Sequence, residues 1–231
     1  NIMILDTFTL EELISALKNA VVIFKDRVNN YRDANTKVLS KKLKNGDFNK
    51  THSGIINGQR YYYYAKYYLE NNHVKIGYGA IVTVVPCGRR QLIIQYNEYG
   101  KHSSIDGRIM HVYTEHFLSR FFSRTGKDDT TMTLLEKYDF FINNNISYFR
   151  ATCAGDILRR YKGAKLKAKF LETDDFQIWH GMTSDGDVAI IEQYGMVPVY
   201  RTYITSDMLK NNQVSDDFYV AGVEHFKNLE K

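Results

Sequence analysis

One histidine and two arginines recur at every fourth position in the middle of the chain. His116, Arg120 and Arg124 therefore drift by only about 40° per step on an α-helix and share one face. Ser119 and Ser123 lie on the same side, and phenylalanine and leucine form the opposite side. A histidine moves protons near neutral pH, and arginines hold a phosphate and offset the charge of a pentacovalent transition state. The pattern suits phosphodiester chemistry, with His116 as general acid or base.

The same helix has an ordinary structural explanation as well. Any amphipathic helix needs a polar face, and histidine, serine and arginine are common there. Two interpretations of residues 114–125 therefore stay open: a catalytic face, or the solvent side of a helix that packs on a core.

The segment from His116 to Gly126 reads H-F-L-S-R-F-F-S-R-T-G and resembles the H-x-x-x-R-x-x-x-R-G helix of small RelE-like toxin domains. In those domains the helix packs on an antiparallel sheet, and a late threonine-bearing strand contributes to the same site. The resemblance spans residues 112–205 and implies a metal-independent ribonuclease. The residues that it implies as catalytic are His116, Arg120, Arg124 and Thr202, and it also carries over Arg201 on the same strand as Thr202.

This chain departs from the toxin pattern at several positions. Phe117 stands where a small residue usually follows the histidine, Thr125 is inserted before the glycine, and residues 1–105 have no counterpart. The sequence also resembles uncharacterised phage and Bacteroidetes proteins with an H-F-x-x-R motif and a later T-Y-I segment, to which no activity is attached. A phage-encoded origin follows as an expectation.

A second basic segment and a late arginine are the candidates for nucleic-acid binding. Six of the residues 159–169 are basic, with Tyr161 and Phe170 beside them, and aromatic side chains among cations can stack bases. The residues predicted to bind nucleic acid are Arg159, Arg160, Lys162, Lys165 and Arg201. A solvated charged face is the alternative, because acidic residues follow directly at positions 172–175.

Charge and aromatic content leave two non-enzymatic functions open. The formal net charge is +5, which permits an anionic partner such as RNA without requiring one. The 18 tyrosines, several of them in residues 61–68, suggest a phage or mobile-element protein that binds a host protein or nucleic acid through a tyrosine-rich sheet surface. An assembly protein is the third hypothesis, with a homodimer formed through the apolar residues of positions 10–24.

Several classes of site and location are disfavoured by the sequence. His111 and His116 are five positions apart rather than the four of a zinc protease helix, so we predict no metal. Phosphate-cradling glycine motifs are missing, so we predict no cofactor. Cys87 and Cys153 are isolated, and we recognise neither a leader peptide nor an apolar run of about 20 residues. We expect a cytoplasmic protein that does not enter membranes, in the host cytoplasm if phage-encoded.

The order of predicted elements indicates an α+β fold with a mainly antiparallel sheet, packed helices and a long N-terminal helix. Thr9 and Glu12 form a capping-box pattern at the start of a helix over residues 7–45, and residues 46–59 read as a loop. Strands are predicted over 61–69, 74–85, 91–96, 146–151, 176–180, 188–194 and 197–204, and helices over 114–125, 131–143 and 206–213. We divide the chain into a helical segment, 1–50, and a body, 51–231, that form one compact unit.

Overall fold

The structure, a computed structural model of the chain, describes residues 4, 6–77, 79–97, 110–143, 149–152, 166–209 and 215–229; of residues 149–152 it describes the backbone. The helices in these ranges are α1 (Leu10–Ala34), α2 (Thr36–Leu43), α3 (Glu115–Arg124), α4 (Leu134–Asn143) and α5 (Asp216–Leu229). The strands are β1 (Phe48–Ile56), β2 (Gln59–Glu70), β3 (His73–Ile76), β4 (Ala80–Cys87), β5 (Arg90–Asn97), β6 (Met110–Thr114), β7 (Phe149–Thr152), β8 (Phe176–Met182), β9 (Val188–Tyr194) and β10 (Val197–Ile204).

Within the described residues, the ten strands form one sheet. Its order is β1-β2-β4-β5-β6-β10-β9-β8-β7, and β3 pairs with β2 beside β4. Every described pair is antiparallel except β6 with β10, which is parallel. The predicted α+β class with a mainly antiparallel sheet and a long N-terminal helix is confirmed.

Helices α1 and α2 cover one face of the sheet. The predicted capping box is present: the Thr9 hydroxyl accepts from the Glu12 N–H, and the Glu12 carboxylate accepts from the Thr9 N–H. The predicted single helix over 7–45 is wrong, because it breaks at Asn35. The Asn35 side-chain amide donates to the Tyr31 carbonyl (2.8 Å), a local bond that competes with the helical ladder. Both helices share a hydrophobic cluster with the sheet, and β1 already begins at Phe48.

Helices α3 and α4 cover the opposite face with an aromatic core. Tyr113 of β6 stacks on Tyr200 of β10 with ring centroids 4.6 Å apart. Phe117 and Phe121 of α3 meet Tyr203 of β10 edge to face. Such aromatic pairs add about 1 kcal/mol each beyond the area they bury, so α3 is firmly seated on β10.

Several predicted elements differ from the observed ones. The predicted loop over 46–59 is strand β1, an edge strand whose polar residues fit because burial alternates along it. Residues 74–85 divide into β3 and β4 near Gly77, and β6 was not predicted. The predicted last helix over 206–213 is a 3-10 turn, Ser206–Met208, within the described residues, and α5 follows from Asp216.

The tyrosines of β2 are core residues rather than an open binding surface. Tyr61, Tyr63 and Tyr67 are buried under α1, whereas Tyr62 and Tyr64 are half-buried beside α4. The predicted tyrosine-rich surface is thus wrong for the three buried rings. The apolar stripe of α1 that suggested a homodimer packs on the sheet of its own chain. Among the described residues, no helix combines the length and the apolar character needed to cross a membrane.

Candidate functional site

Thr114 fixes the point at which strand β6 turns into helix α3. Its hydroxyl oxygen accepts a hydrogen bond from the backbone N–H of Phe117 (3.1 Å), which caps the first turn of the helix. The same hydroxyl donates to the carbonyl of Tyr200 on β10 (3.0 Å). Because Thr114 is buried, both bonds hold the start of α3 against β10. His116, the second residue of α3, is thereby positioned relative to the sheet.

Strands β5 and β10 flank the place where β6 leaves the sheet. Leu92 of β5 pairs with Thr114, so Arg90 lies beyond the end of β6. On the other side, pairing between β6 and β10 ends at Tyr200, and Arg201 follows. Two strands that flank a third lie about 10 Å apart, so Arg90 and Arg201 flank the end of β6, and the charge of each acts on His116 in the first turn of α3. We call this place the β6 exit, formed by Arg90, His116, Arg120 and Arg201.

The β6 exit is electropositive, and its positive charges affect the pKa of His116. His116 is exposed as a residue, yet the protein around its imidazole removes enough water to lower its pKa. The positive charges of four arginines lower this pKa further; in order of effect they are Arg120, Arg90, Arg201 and Arg124. His116 is therefore neutral at pH 7 and available as a proton acceptor.

Two of these arginines have no acidic partner within the described residues. Arg90 and Arg120 are exposed, and neither forms an ion pair with any acidic residue that the structure describes. Positive charges that surround a neutral histidine without local compensation attract anions. Arginine donors suit phosphate in particular, because their planar fork matches two phosphate oxygens.

Arg124 has a structural position within the helix–sheet contact. Its guanidinium donates to the carbonyl of Tyr203 on β10, and its Nε is buried without a hydrogen-bond partner. Burial, followed by the charge of Arg120, lowers the pKa of Arg124. Arg124 therefore ties the end of α3 to β10, whereas His116 and Arg120 of the same helix face solvent.

A β-bulge separates the two candidate residues of β10 from α3. The register of β10 with β9 shifts between Tyr200 and Thr202, and Thr202 pairs with Ile190, which packs in the cluster of α5. Tyr200 and Tyr203 instead pack on α3. Thr202 thus lies on the sheet face opposite α3, and the structure does not bring it to His116. Arg201 shares that face and still acts on His116, because it lies at the end of β6.

Arg201 belongs to a buried polar chain. Its Nε lies 3.2 Å from Glu192 Oε1, and the Tyr194 hydroxyl donates to Glu192 Oε2 (2.7 Å). Tyr194, the last residue of β9, in turn lines a groove of about 700 Å³ together with residues 166–174. His116 does not line this groove, so the groove and the β6 exit are linked through Tyr194, Glu192 and Arg201 rather than joined in one cleft.

The remaining predicted residues divide into two groups. Arg159, Arg160, Lys162 and Lys165 lie outside the described residues, as does Cys153. Arg90 was missed by sequence reasoning. The signal that identifies it is the pairing of β5 with β6, which required recognition of β6 as a strand.

Among the described residues, no group of three or more histidine, cysteine, aspartate or glutamate side chains is arranged to hold a metal ion. Cys87 is free and buried, and burial is the main reason why the pKa of its thiol is raised.

Comparisons with protein-family models, with curated proteins and with solved structures give no match.

Proposed function

We propose that this chain is a nucleic-acid-directed protein of the cytoplasm that binds an RNA phosphate at the β6 exit and cleaves the strand without a metal ion. The observation that carries the proposal is the neutral, exposed His116 among arginines of which two, Arg90 and Arg120, have no acidic partner in the described part of the chain. A proton acceptor beside uncompensated guanidinium groups is what attack on a phosphodiester requires. The resemblance of α3 to the toxin helix adds to this support.

His116 acts as the general base in the proposed reaction. Its imidazole takes the proton of a ribose 2′-hydroxyl while the 2′ oxygen attacks phosphorus. The bond from phosphorus to the 5′ oxygen breaks, the leaving 5′ oxygen takes a proton from water, and the imidazolium later returns its proton to solvent. The products are a 2′,3′-cyclic phosphate and a 5′-hydroxyl end.

Arg90 and Arg120 stabilise the transition state of this reaction. Negative charge builds on the non-bridging oxygens as the fifth bond to phosphorus forms, and fixed cations lower its energy. The same charges lower the pKa of His116, which keeps it in the basic form. A single cluster thereby supplies both phosphate binding and a neutral base.

Cleavage of labelled single-stranded RNA in EDTA tests the proposal. The wild-type protein is expected to give 2′,3′-cyclic phosphate ends, and His116→Ala is expected to lose at least a hundredfold in rate. Arg90→Gln and Arg120→Gln should each lose at least tenfold. His73→Ala and Arg89→Gln are the matched controls, because both residues are exposed outside the β6 exit and should leave the rate unchanged.

Two results contradict the proposal in different ways. RNA that binds at the β6 exit but stays intact would indicate an RNA-binding protein that is not an enzyme. This is the second candidate function, and the same arginines support it. RNA that is cleaved equally by wild type and His116→Ala would move the chemistry to another site or to a contaminant.

A further inference from the structure

The positive charge of the chain is concentrated in one segment. Residues 25–50 contain eight lysine and arginine residues and three aspartates, a net charge of +5. The whole chain has the same formal net charge of +5, so the other residues carry equal numbers of basic and acidic side chains. The segment runs through the end of α1, all of α2 and the start of β1, at one edge of the sheet.

Helix α2 and its C-cap residue, Lys44, present three of these charges in a single stripe. Lys37, Lys41 and Lys44 are four and three residues apart, the spacing of neighbours on one helix face, and all three are exposed. The opposite side of α2 buries Leu39 and Leu43 against the sheet. No acidic residue lies within α2, so the stripe has no compensating charge on its own helix.

Two further lysines are held at the same edge by aromatic rings. Lys42 Nζ lies 3.8 Å from the ring centroid of Phe48, and Lys50 Nζ lies 4.1 Å from that of Tyr31. Such cation–π contacts restrain the ammonium groups without neutralising them. The ring of Tyr31 also packs edge to face on His52, with ring centroids 5.2 Å apart. This ring is therefore occupied by contacts within the protein and is not open for base stacking.

Two of the three aspartates in residues 25–50 form ion pairs. Asp33 pairs with Arg32 at 2.8 Å, and Asp47 pairs with Lys66 of β2 at 3.0 Å. The lysines at positions 37, 41, 42, 44 and 50 remain as a cationic surface, which we call the basic edge. Strands β4 and β5 separate β2, on which α2 packs, from β6, so the basic edge and the β6 exit are distinct places.

We propose that the basic edge binds the phosphate backbone of nucleic acid without regard to base sequence. Exposed lysines along one edge, together with Lys42 and Lys50, which are held by aromatic rings, match the regular charge of a polynucleotide. Binding through phosphates alone carries no sequence information. The rings of Tyr31 and Phe48 pack within the protein, so they offer no surface on which bases could stack. The inference does not depend on the chemistry at the β6 exit.

Binding of single-stranded DNA of two unrelated sequences to the full chain tests the proposal over a range of salt concentrations. DNA lacks the 2′-hydroxyl, so cleavage at the β6 exit cannot affect the result. The variant K37Q/K41Q/K44Q is compared with K18Q/K169Q/K227Q, which removes the same charge from exposed lysines elsewhere. Circular dichroism melting establishes that both are folded, and the single reversal Lys41→Glu serves if the triple variant is not.

The edge variant is expected to bind at least tenfold more weakly at 50 mM salt, with the salt slope reduced by about 2, because each single-strand phosphate contact contributes about 0.7. The control variant should stay within twofold of wild type, and both sequences should bind alike. Equal losses in the two variants would overturn the proposal, as would a strong preference for one sequence. Tighter binding of anionic phospholipid vesicles than of DNA, lost in the edge variant, would replace nucleic acid by a membrane surface as the partner.

The outcome is separable from that at the β6 exit. RNA cleavage is measured with His116→Ala and DNA binding with K37Q/K41Q/K44Q, so each place has its own variant and its own readout. Loss of binding only in the edge variant supports the basic edge even if no RNA is ever cleaved.

Discussion

Arg201 Nε and Glu192 Oε1 form an ion pair at 3.2 Å inside the sheet, with 11% and 1% of their side chains exposed. The pair lies at the bulge of β10, immediately beyond the last residue that pairs with β6. A buried ion pair loses much of its Coulomb energy to desolvation, so it contributes little net stability, yet removal of one partner leaves an uncompensated charge. Bulges are common next to functional sites because they redirect a side chain.

Glu192→Gln is expected to destabilise the protein strongly. It leaves the charge of Arg201 buried without its counterion, which lowers the free energy of unfolding by about 3 kcal/mol in urea denaturation. Glu70→Gln removes an exposed pair with Lys75 and should cost less than about 1 kcal/mol. The double variant E192L/R201M should recover most of the loss. A loss for Glu192→Gln as small as that for Glu70→Gln would contradict a buried, uncompensated charge.

His180 makes the fold sensitive to acid. The residue is buried on β8 against Phe218 of α5, and burial lowers its pKa from 6.5 to about 4. The unfolded chain therefore binds more protons between these values, so stability present above pH 6.5 is lost as the pH falls to 4, by about 3 kcal/mol. Urea unfolding at several pH values measures this loss. It should shrink in His180→Leu and persist in His225→Gln, whose histidine is exposed.

Arg120 is expected to keep the pKa of His116 low. Its charge is the largest of the arginine contributions, so Arg120→Gln should raise the pKa of His116 in an NMR titration. Arg120→Lys retains the charge and should leave this pKa close to that of wild type. Arg60→Gln, on the exposed side of β2, is the matched control. An unchanged pKa in Arg120→Gln would mean that the arginine does not act on the histidine in solution. If cleavage occurs, its rate should rise with pH through this same pKa.

The part of the fold that was predictable rests on local patterns. The stripe of α3 and the capping box at Thr9 depend on neighbours three or four residues apart, and the structure contains them. Strand β6 escaped prediction because it is only five residues long, shows no alternation of burial and runs directly into α3. Edge strand β1 escaped for the opposite reason, since its sequence is polar enough to read as a loop.

The composition of the site depends on pairings that no local pattern specifies. Arg90 reaches the β6 exit through the register of β5 with β6, and Arg201 does so through a bulge in β10. The same bulge turns Thr202 to the face opposite α3. Strand β10 therefore places Arg201 at the β6 exit but not the neighbouring Thr202. Arg124 lies in the predicted stripe of α3, but its guanidinium donates to the carbonyl of Tyr203 instead of facing solvent.

The most direct test of the β6 exit is the pKa of His116 measured by NMR with and without a 2′-O-methyl dinucleotide, which binds as RNA does but cannot be cleaved. A phosphate held between Arg90 and Arg120 offsets two of the charges that lower this pKa, so we predict that the pKa of His116 rises on binding. A pKa of His116 that does not respond to saturating dinucleotide would contradict phosphate binding at the β6 exit, and with it the proposed cleavage of RNA.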